Sequence, residues 1–200
     1  GPLPARTYRD PSQIRPVNPF PEASRVPTAA TTPAGGPWEP PGRSKAWQFI
    51  VIHHSATPTG SAATFDKAHR AQGWDQLGYH FVIGNGSGSG NGLVEIGSRW
   101  PVQKYGAHTK TADNRYNDFG IGICLVGNFD NARPTQQQLD ATARLVGWLM
   151  ARYNIPPERV IGHGQAKPTA CPGRNFPIAS VKQHAAQIAA VHRSNAMAAR

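Results

Sequence analysis

The fold is decided by the stretch at residues 48–55, which reads QFIVIHHS. Its first five residues, 48–52, form a short apolar run rich in β-branched side chains, which predicts a buried strand. Two imidazoles, His53 and His54, follow this run directly. Because α/β folds collect functional residues where strands end at one edge of the sheet, the stretch predicts both a central strand and a functional position at its end.

Strands and helices alternate outward from this stretch. Further apolar runs predict strands at 79–83, 93–96, 120–126 and 160–162, with a flexible hairpin loop at 84–92. Helices are predicted at 61–71, from Thr135 onward and at 181–197; the second of them opens with a capping-box pattern of Thr135 and Gln138. Alternating elements with connections of mixed length predict an α/β fold, in which a single domain has a central mixed β-sheet flanked by helices.

A Pro-rich extended N-terminal arm is predicted to precede the domain. Residues 1–45 hold 11 of the 19 prolines and show no helical or alternating apolar period. Such a segment cannot bury enough apolar surface to offset its ordering entropy, although Phe20 or Trp38 could pin it to the domain. Gly1-Pro2 resembles the scar of a cleaved tag, which would put the native start elsewhere. The predicted organisation is therefore an arm at 1–45, a domain at 46–177 and a C-terminal helix at 178–200.

Composition excludes several classes of protein. Only two cysteines, Cys124 and Cys171, occur in 200 residues, so neither a disulfide-stapled domain nor a four-cysteine zinc ribbon can form. No run of roughly 18 apolar residues predicts a transmembrane segment. The net charge of +10 favours an anionic partner such as a nucleic acid, an anionic membrane or a wall polymer. The cations are dispersed and lack the block with interleaved aromatics typical of nucleic-acid binding, so no nucleic acid is expected.

Three metal-competent residues lie at or soon after predicted strand ends. His53 ends the first run, His163 follows the strand at 160–162, and Cys171 comes eight residues later. Two imidazoles and a thiolate form a good ligand set for zinc, and three protein ligands leave a fourth position for water or substrate. A bound zinc ion would also keep the thiol deprotonated. The spacing alone leaves another interpretation open, in which His53 and His54 are capping or core histidines.

Five segments, taken in order, resemble the zinc N-acetylmuramoyl-L-alanine amidases. This family includes the phage amidase lysozymes and the peptidoglycan recognition proteins. The resemblance covers roughly residues 46–177, and five ordered motifs are far more specific than any one of them. The segments read FIVIHHSA at 49–56, GYHFVIG at 78–84, GAHT at 106–109, IGICLVGNF at 121–129, and GH at 162–163 continuing to TACPG at 169–173.

The resemblance implies a reaction and the residues that carry it. The reaction is hydrolysis of the amide between the lactyl group of N-acetylmuramic acid and L-alanine of the peptide stem, with Zn²⁺ as cofactor. His53, His163 and Cys171 match the three zinc ligands of the family. Tyr79 matches a tyrosine beside the metal, and Thr169 matches a position that faces the substrate carbonyl. Either hydroxyl could help to stabilise the oxyanion of the tetrahedral intermediate.

The general base does not carry over from the family directly. One branch has a glutamate in the strand that corresponds to 120–126, and Cys124 aligns with it here. The alternative interpretation of Cys124 is a small buried core thiol. Because the pattern is nearer to the branches with a tyrosine beside the metal, we expect Tyr79 to assist the water or the oxyanion.

Three further residues are candidates for contact with substrate. His108 matches a histidine that lines the substrate groove in the family. Trp100 could line the groove against sugar or stem, and core packing is its alternative. His54 is the third candidate, with packing at the strand end or a supporting position behind the ligands as its alternative.

The resemblance also sets the expected partner and location. We expect a monomer that acts on peptidoglycan or muropeptides in the cell envelope, either periplasmic or secreted. Two rival interpretations share the same residues. One is a module of the same fold that binds peptidoglycan without cutting it, and the other is a metal-free hydrolase with Cys171 as nucleophile and His163 as base.

Overall fold

The computed structural model describes residue 19 and residues 36–199, so Phe20 and most of the predicted arm lie outside the described residues. The described part contains five strands, five α-helices and a single-turn 3-10 helix at Pro157–Arg159. In chain order the strands and α-helices are β1 (Phe49–His54), α1 (Ala62–Ala71), β2 (Phe81–Ile83), β3 (Val94–Ile96), α2 (Arg115–Asp118), β4 (Gly120–Leu125), α3 (Gln136–Tyr153), β5 (Val160–Gly162), α4 (His163–Ala166) and α5 (Ile178–Ala198).

The strands form one mixed sheet in the order β3-β2-β4-β1-β5, which confirms the predicted fold class. β1 runs parallel to both of its neighbours, β4 and β5, and β2 runs parallel to β4. Only β3 is antiparallel, paired with β2 across the 84–92 loop. Since β1, β4 and β5 point the same way, their carboxyl ends meet at one edge of the sheet.

The main core lies between the sheet and the helix pair α3 and α5. Alternate strand residues such as Ile50, Ile52 and Ile123 face this pair and are fully buried, as the period of two in a strand requires. The two helices approach closely at Gly147, where a Cβ atom would lie 2.7 Å from the Cβ of Ile188. The predicted C-terminal helix therefore packs into the core of the domain.

The opposite face of the sheet carries a smaller apolar cluster beside α1. Leu77, Val82, Cys124 and Val126 are buried there, and Tyr79 packs against them. His53 pairs with Cys124 across the β1–β4 ladder, so its side chain lies on the same face of the sheet as Cys124. This face therefore carries the candidate site.

Helix boundaries follow the capping signals of the sequence. Thr135 and Gln138 exchange both capping-box hydrogen bonds at the start of α3, as predicted. Ser61 and Thr64 do the same at the start of α1. The one-turn helices α2 and α4 are not predicted, because four residues are too few to show a helical period. None of the helices within residues 36–199 is long and apolar enough to cross a membrane.

Residues 36–45, here called the N-terminal strap, pack on the domain near the end of α3. The ring of Trp38 lies edge-on to Trp148 with centroids 5.8 Å apart, and its carbonyl accepts a 2.7 Å hydrogen bond from Nε1 of Trp100. Glu39 forms an ion pair with Arg152 at 2.6 Å. Trp38 therefore packs against the domain, as the sequence analysis suggested for this residue.

Candidate metal centre

The register of the central strands brings two of the three predicted ligands side by side. Ile52 of β1 pairs with Gly162 of β5, and the next residues are His53 and His163. Their ring centroids lie 4.5 Å apart. The Sγ atom of Cys171 lies 3.7 Å from Nδ1 of His53, and one ligand atom from each of the three residues falls within 4.8 Å of the others.

Hydrogen bonds from backbone amides hold the loop that carries Cys171 against α4 and the end of β1. The amide of Gly164, in α4, donates to the carbonyl of Cys171 at 2.7 Å. The sulfur of Cys171 accepts from the amide of His54 at 3.4 Å. Thr169 is exposed, and its hydroxyl accepts from the amide of Cys171 at 3.3 Å. The predicted catalytic Thr169 therefore lies directly beside the candidate ligand, with its side chain open to solvent.

The electrostatics of the three side chains suit a divalent cation. Burial holds the pKa of His53 well below its usual range, and burial together with the charge of Lys167 lowers the pKa of His163 to about 4. Both imidazoles are thus neutral and free to act as ligands near pH 7. Burial raises the pKa of the Cys171 thiol to about 11, so the thiolate needs a nearby cation. Nε2 of His163 is buried without a hydrogen-bond partner among the described residues, as a ligand nitrogen would be.

Tyr79 lies beside this cluster. Its ring centroid is 5.2 Å from that of His53, and its hydroxyl is close to Cys124. Burial raises the pKa of Tyr79 well above its usual range, with Cys124 and Cys171 contributing in the same direction. Tyr79 therefore keeps its proton and is placed to donate a hydrogen bond.

Cys124 lies under the cluster, directly across the β1–β4 pair from His53. It is fully buried, as expected of a core thiol, and this burial raises its pKa strongly. A thiol that holds its proton so firmly is a poor general base.

His108 lies against His53 with both ring nitrogens engaged inside the protein. Its Nδ1 is 3.1 Å from Nε2 of His53 and 2.9 Å from the hydroxyl of Thr109. Its Nε2 is 3.2 Å from the carbonyl of Gly120. Burial lowers the pKa of His108 to about 3, so the ring is neutral. That His108 touches substrate stays a prediction, while its contact with the candidate ligand is direct.

The other two substrate-contact candidates face away from the cluster. Trp100 is 1% exposed, and its ring packs against Phe81 in the main core with centroids 4.8 Å apart. The ring of His54 lies against Phe129, whose amide donates to Nδ1 of His54 at 3.1 Å. The structure thus gives both side chains the packing role that was the alternative to substrate contact, and His54 reaches the site only through its backbone.

Three residues near the cluster are missing from the sequence predictions. Thr109 bonds to the rings of His108 and His53, and the side-chain oxygen of Asn117 accepts from the amides of residues 108 and 109. Gly122 leaves room for the ring of His108. The alternation of glycines at 120 and 122 is the available signal, because glycine inside a strand often marks a close approach.

A mixed sheet with two histidines and a cysteine gathered at its edge defines an α/β protein with a candidate zinc centre. Residues 43–174 match the family model described as N-acetylmuramoyl-L-alanine amidase. The chain belongs to this family, which confirms the resemblance drawn from the five segments.

Relatives in this family carry two kinds of name. Peptidoglycan-recognition protein LB of Drosophila melanogaster is 33% identical over 136 residues, which cover 62% of this chain and 54% of that protein. This chain thus spans about half the length of that relative. The solved structure of N-acetylmuramoyl-L-alanine amidase LysC from Clostridium intestinale is similar with a TM-score of 0.61 at 30% identity, covering 69% of this chain and 84% of that one. A Drosophila PGRP-LB mutant in complex with tracheal cytotoxin gives a TM-score of 0.53 at 26% identity, covering 70% and 86%.

Proposed function

We propose that this chain is a zinc-dependent N-acetylmuramoyl-L-alanine amidase. It hydrolyses the amide between the lactyl group of N-acetylmuramic acid and L-alanine of peptidoglycan stems, in degradation, remodelling or recycling of the cell wall. The observation that carries this proposal is the convergence of His53, His163 and Cys171 within 4.8 Å, beside Tyr79, in a chain of the amidase family.

His53, His163 and Cys171 would hold the zinc ion. When bound there, zinc supplies Lewis-acid polarisation of the substrate carbonyl and lowers the pKa of a coordinated water. The protein contributes neutral imidazoles, because burial holds the pKa values of both histidines down. It also contributes the amide of His54, whose hydrogen bond to the sulfur of Cys171 favours the thiolate.

Two hydroxyl groups would act on the substrate directly. Tyr79 keeps its proton and would donate to the developing oxyanion or orient the attacking water. Thr169 is exposed two residues before Cys171 and would face the substrate carbonyl. Cys124 holds its proton too firmly to replace a carboxylate base, which is why we assign assistance to Tyr79.

A second function is supported by the names of the relatives, several of which are recognition proteins. The same fold would then bind peptidoglycan without cutting it. The presence of all three candidate ligands together with Tyr79 favours the enzyme. The metal-free cysteine hydrolase is disfavoured, because the raised pKa of Cys171, about 11, leaves little nucleophilic thiolate at neutral pH.

We place the protein in the cell envelope, periplasmic or secreted, as a monomer that meets peptidoglycan or muropeptides and no nucleic acid. The distribution of charge supports an anionic wall as its surroundings. Residues 1–45 carry six Lys or Arg against three Asp or Glu, and residues 178–200 carry three against none. Much of the net charge of +10 therefore lies at the two ends of the chain.

The test is digestion of defined muropeptides with diaminopimelate or lysine stems, with and without chelator, and identification of the products by mass. Cys171→Ala and His163→Ala are each expected to lose zinc and amide hydrolysis together. Tyr79→Phe should retain zinc but turn over about 100-fold more slowly, because it loses one donor to the oxyanion.

Cys124→Ala is the matched cysteine control and should keep both zinc and hydrolysis. Undiminished hydrolysis by Cys171→Ala, or in the presence of chelator, would contradict the zinc mechanism. Stoichiometric zinc without turnover of any muropeptide would favour the binding module instead.

A further inference from the structure

His53 makes one contact that its role as a ligand does not require. Its Nδ1 atom faces Cys171, while its Nε2 atom, on the far side of the ring, lies 3.1 Å from Nδ1 of His108. Two nitrogens at this distance form a hydrogen bond only if one carries a proton and the other presents a lone pair. The direction of this bond therefore decides which nitrogen of His53 is free to bind a metal.

The other side of the His108 ring fixes that direction. Its Nε2 atom lies 3.2 Å from the carbonyl oxygen of Gly120. A carbonyl oxygen only accepts, so Nε2 of His108 must carry the proton. A neutral imidazole has one N–H, and Nδ1 of His108 is therefore the acceptor.

It follows that His53 donates. With a lone pair on Nδ1 of His108, the 3.1 Å contact is favourable only if Nε2 of His53 carries its proton. The hydroxyl of Thr109 lies 2.9 Å from Nδ1 of His108 and 3.3 Å from Nε2 of His53. The single proton on Nε2 of His53 is then shared between Nδ1 of His108 and the hydroxyl oxygen of Thr109, and this hydroxyl donates to Nδ1 of His108. Both contacts place the proton on Nε2 of His53.

We propose that His108 is a positioning residue that fixes His53 as the Nε2–H tautomer and thereby aims the lone pair of Nδ1 at Cys171 and His163. This inference deepens the proposed function and rests on it for the metal. It gives His108 a role that acts through His53, in the way that the hydrogen-bond partner of a metal-bound imidazole sets the tautomer and orientation of the ligand.

The protein holds His108 in place both at its backbone and at its ring. The side-chain oxygen of Asn117 accepts hydrogen bonds from the amides of His108 and Thr109, at 2.9 and 2.7 Å. On the sheet side, the ring lies over Gly122, where a Cβ atom would come within 2.4 Å of it. This support leaves the ring little freedom to turn and exchange its two nitrogens.

The first measurement reads the tautomers directly. Long-range proton–nitrogen NMR spectra of the full chain, labelled with ¹⁵N-histidine and freed of metal, should show the proton of His53 on Nε2 and that of His108 on Nε2. A proton on Nδ1 of either ring would overturn the proposal. Because no metal is needed, this result is independent of the proposed function.

The second measurement compares zinc affinities by competition with a chromophoric chelator. His108→Phe keeps a ring but removes the acceptor, and we expect its zinc affinity to fall about 10- to 100-fold. His108→Asn places an amide oxygen near the position of Nδ1 and should recover much of the affinity. His192→Phe, on α5 across the sheet, is the matched control and should bind zinc as the unaltered chain does.

Zinc affinity of His108→Phe within about twofold of the unaltered chain would overturn the proposal. Melting of each metal-free variant reports whether it folds, and the NMR measurement decides the question if His108→Phe does not. If the unaltered chain binds no zinc, the proposed function fails, while the tautomers of His53 and His108 still decide the inference.

Discussion

Gly122 is a single residue on which the geometry of the site depends. It lies in β4 with its missing side chain directed at His108, and a Cβ atom there would approach the ring to between 2.4 and 2.8 Å. Contacts under 3 Å on a packed ring require the ring or the strand to move. Gly122 lies in ordinary extended strand, so its backbone conformation does not require glycine. The lack of room for a side chain beside His108 does.

We therefore predict that Gly122→Ala weakens zinc binding and lowers the free energy of unfolding by about 1–3 kcal/mol, the usual cost of overpacking a core. Gly42→Ala is the matched control, because nothing lies within 4 Å of a Cβ atom at that position. Chelator competition and thermal melting check both variants. Unchanged zinc affinity in Gly122→Ala would show that the ring of His108 can move at no cost to the site.

Single residues of the site differ in how far the sequence predicts them. The approach of His53 and His163 could be predicted, because parallel strands bring their carboxyl ends together. Cys171 lies in a loop beyond α4, and it was the family resemblance that grouped it with these two histidines. The role of Trp100 could not be predicted, since a tryptophan suits a groove as well as a core, and its burial here comes from contacts with Phe81 and Trp38, which are distant in the sequence. The contact between His53 and His108 joins residues 55 apart and has no local pattern.

At the scale of elements, the N-terminal strap covers polar and aromatic groups of the domain. Among residues 36–199, the Nε1 atom of Trp100 donates to the carbonyl of Trp38, and the ring of Trp38 lies edge-on to Trp148. Arg152 forms a bidentate ion pair with Glu39, in which Nε and Nη2 each donate to one carboxylate oxygen. These contacts begin before residue 46, where the sequence placed the start of the domain.

We predict that a chain beginning at residue 46 is less stable than one beginning at residue 36. Removing the strap takes away the carbonyl that accepts from the indole N–H of Trp100. Because water can then reach this N–H, the loss of the hydrogen bond costs about 0.5–1.5 kcal/mol, and the contact with Trp148 is lost in addition. Urea unfolding of the two truncated chains measures the difference. Trp38→Ala in the longer chain separates the ring contact from the backbone hydrogen bond. Equal stability of the two truncations would show that the domain does begin at 46.

Long elements were predictable and short ones were not, for a physical reason. The helix α3 could be predicted from its capping box and from the apolar side chains that recur on one face along its 18 residues. α2 and α4 span four residues each, and their existence depends on contacts from elsewhere in the chain. Asn117 of α2, for example, is held by its bonds to the 106–109 turn, which no local pattern encodes.

For the whole molecule, the candidate ligands connect parts of the chain that are distant in sequence. His53 and Cys171 are 118 residues apart, and the three ligands come from β1, from α4 and from the loop that follows α4. In the unfolded chain these side chains are dispersed. Zinc should therefore bind the native state far more tightly than the unfolded one, which stabilises the entire domain.

The size of this effect follows from the binding equilibrium. Free zinc at about a thousandfold over its Kd adds about 4 kcal/mol to the free energy of unfolding. For a chain of this length each kcal/mol raises Tm by about 2–4 °C, so chelation is expected to lower Tm by about 10 °C. Cys171→Ala should melt at the same temperature with and without chelator, whereas Cys124→Ala should show the same shift as the unaltered chain. Calorimetry in matched zinc and chelator buffers makes the comparison, and equal shifts in both cysteine variants would mean that zinc stabilises the fold from somewhere other than Cys171.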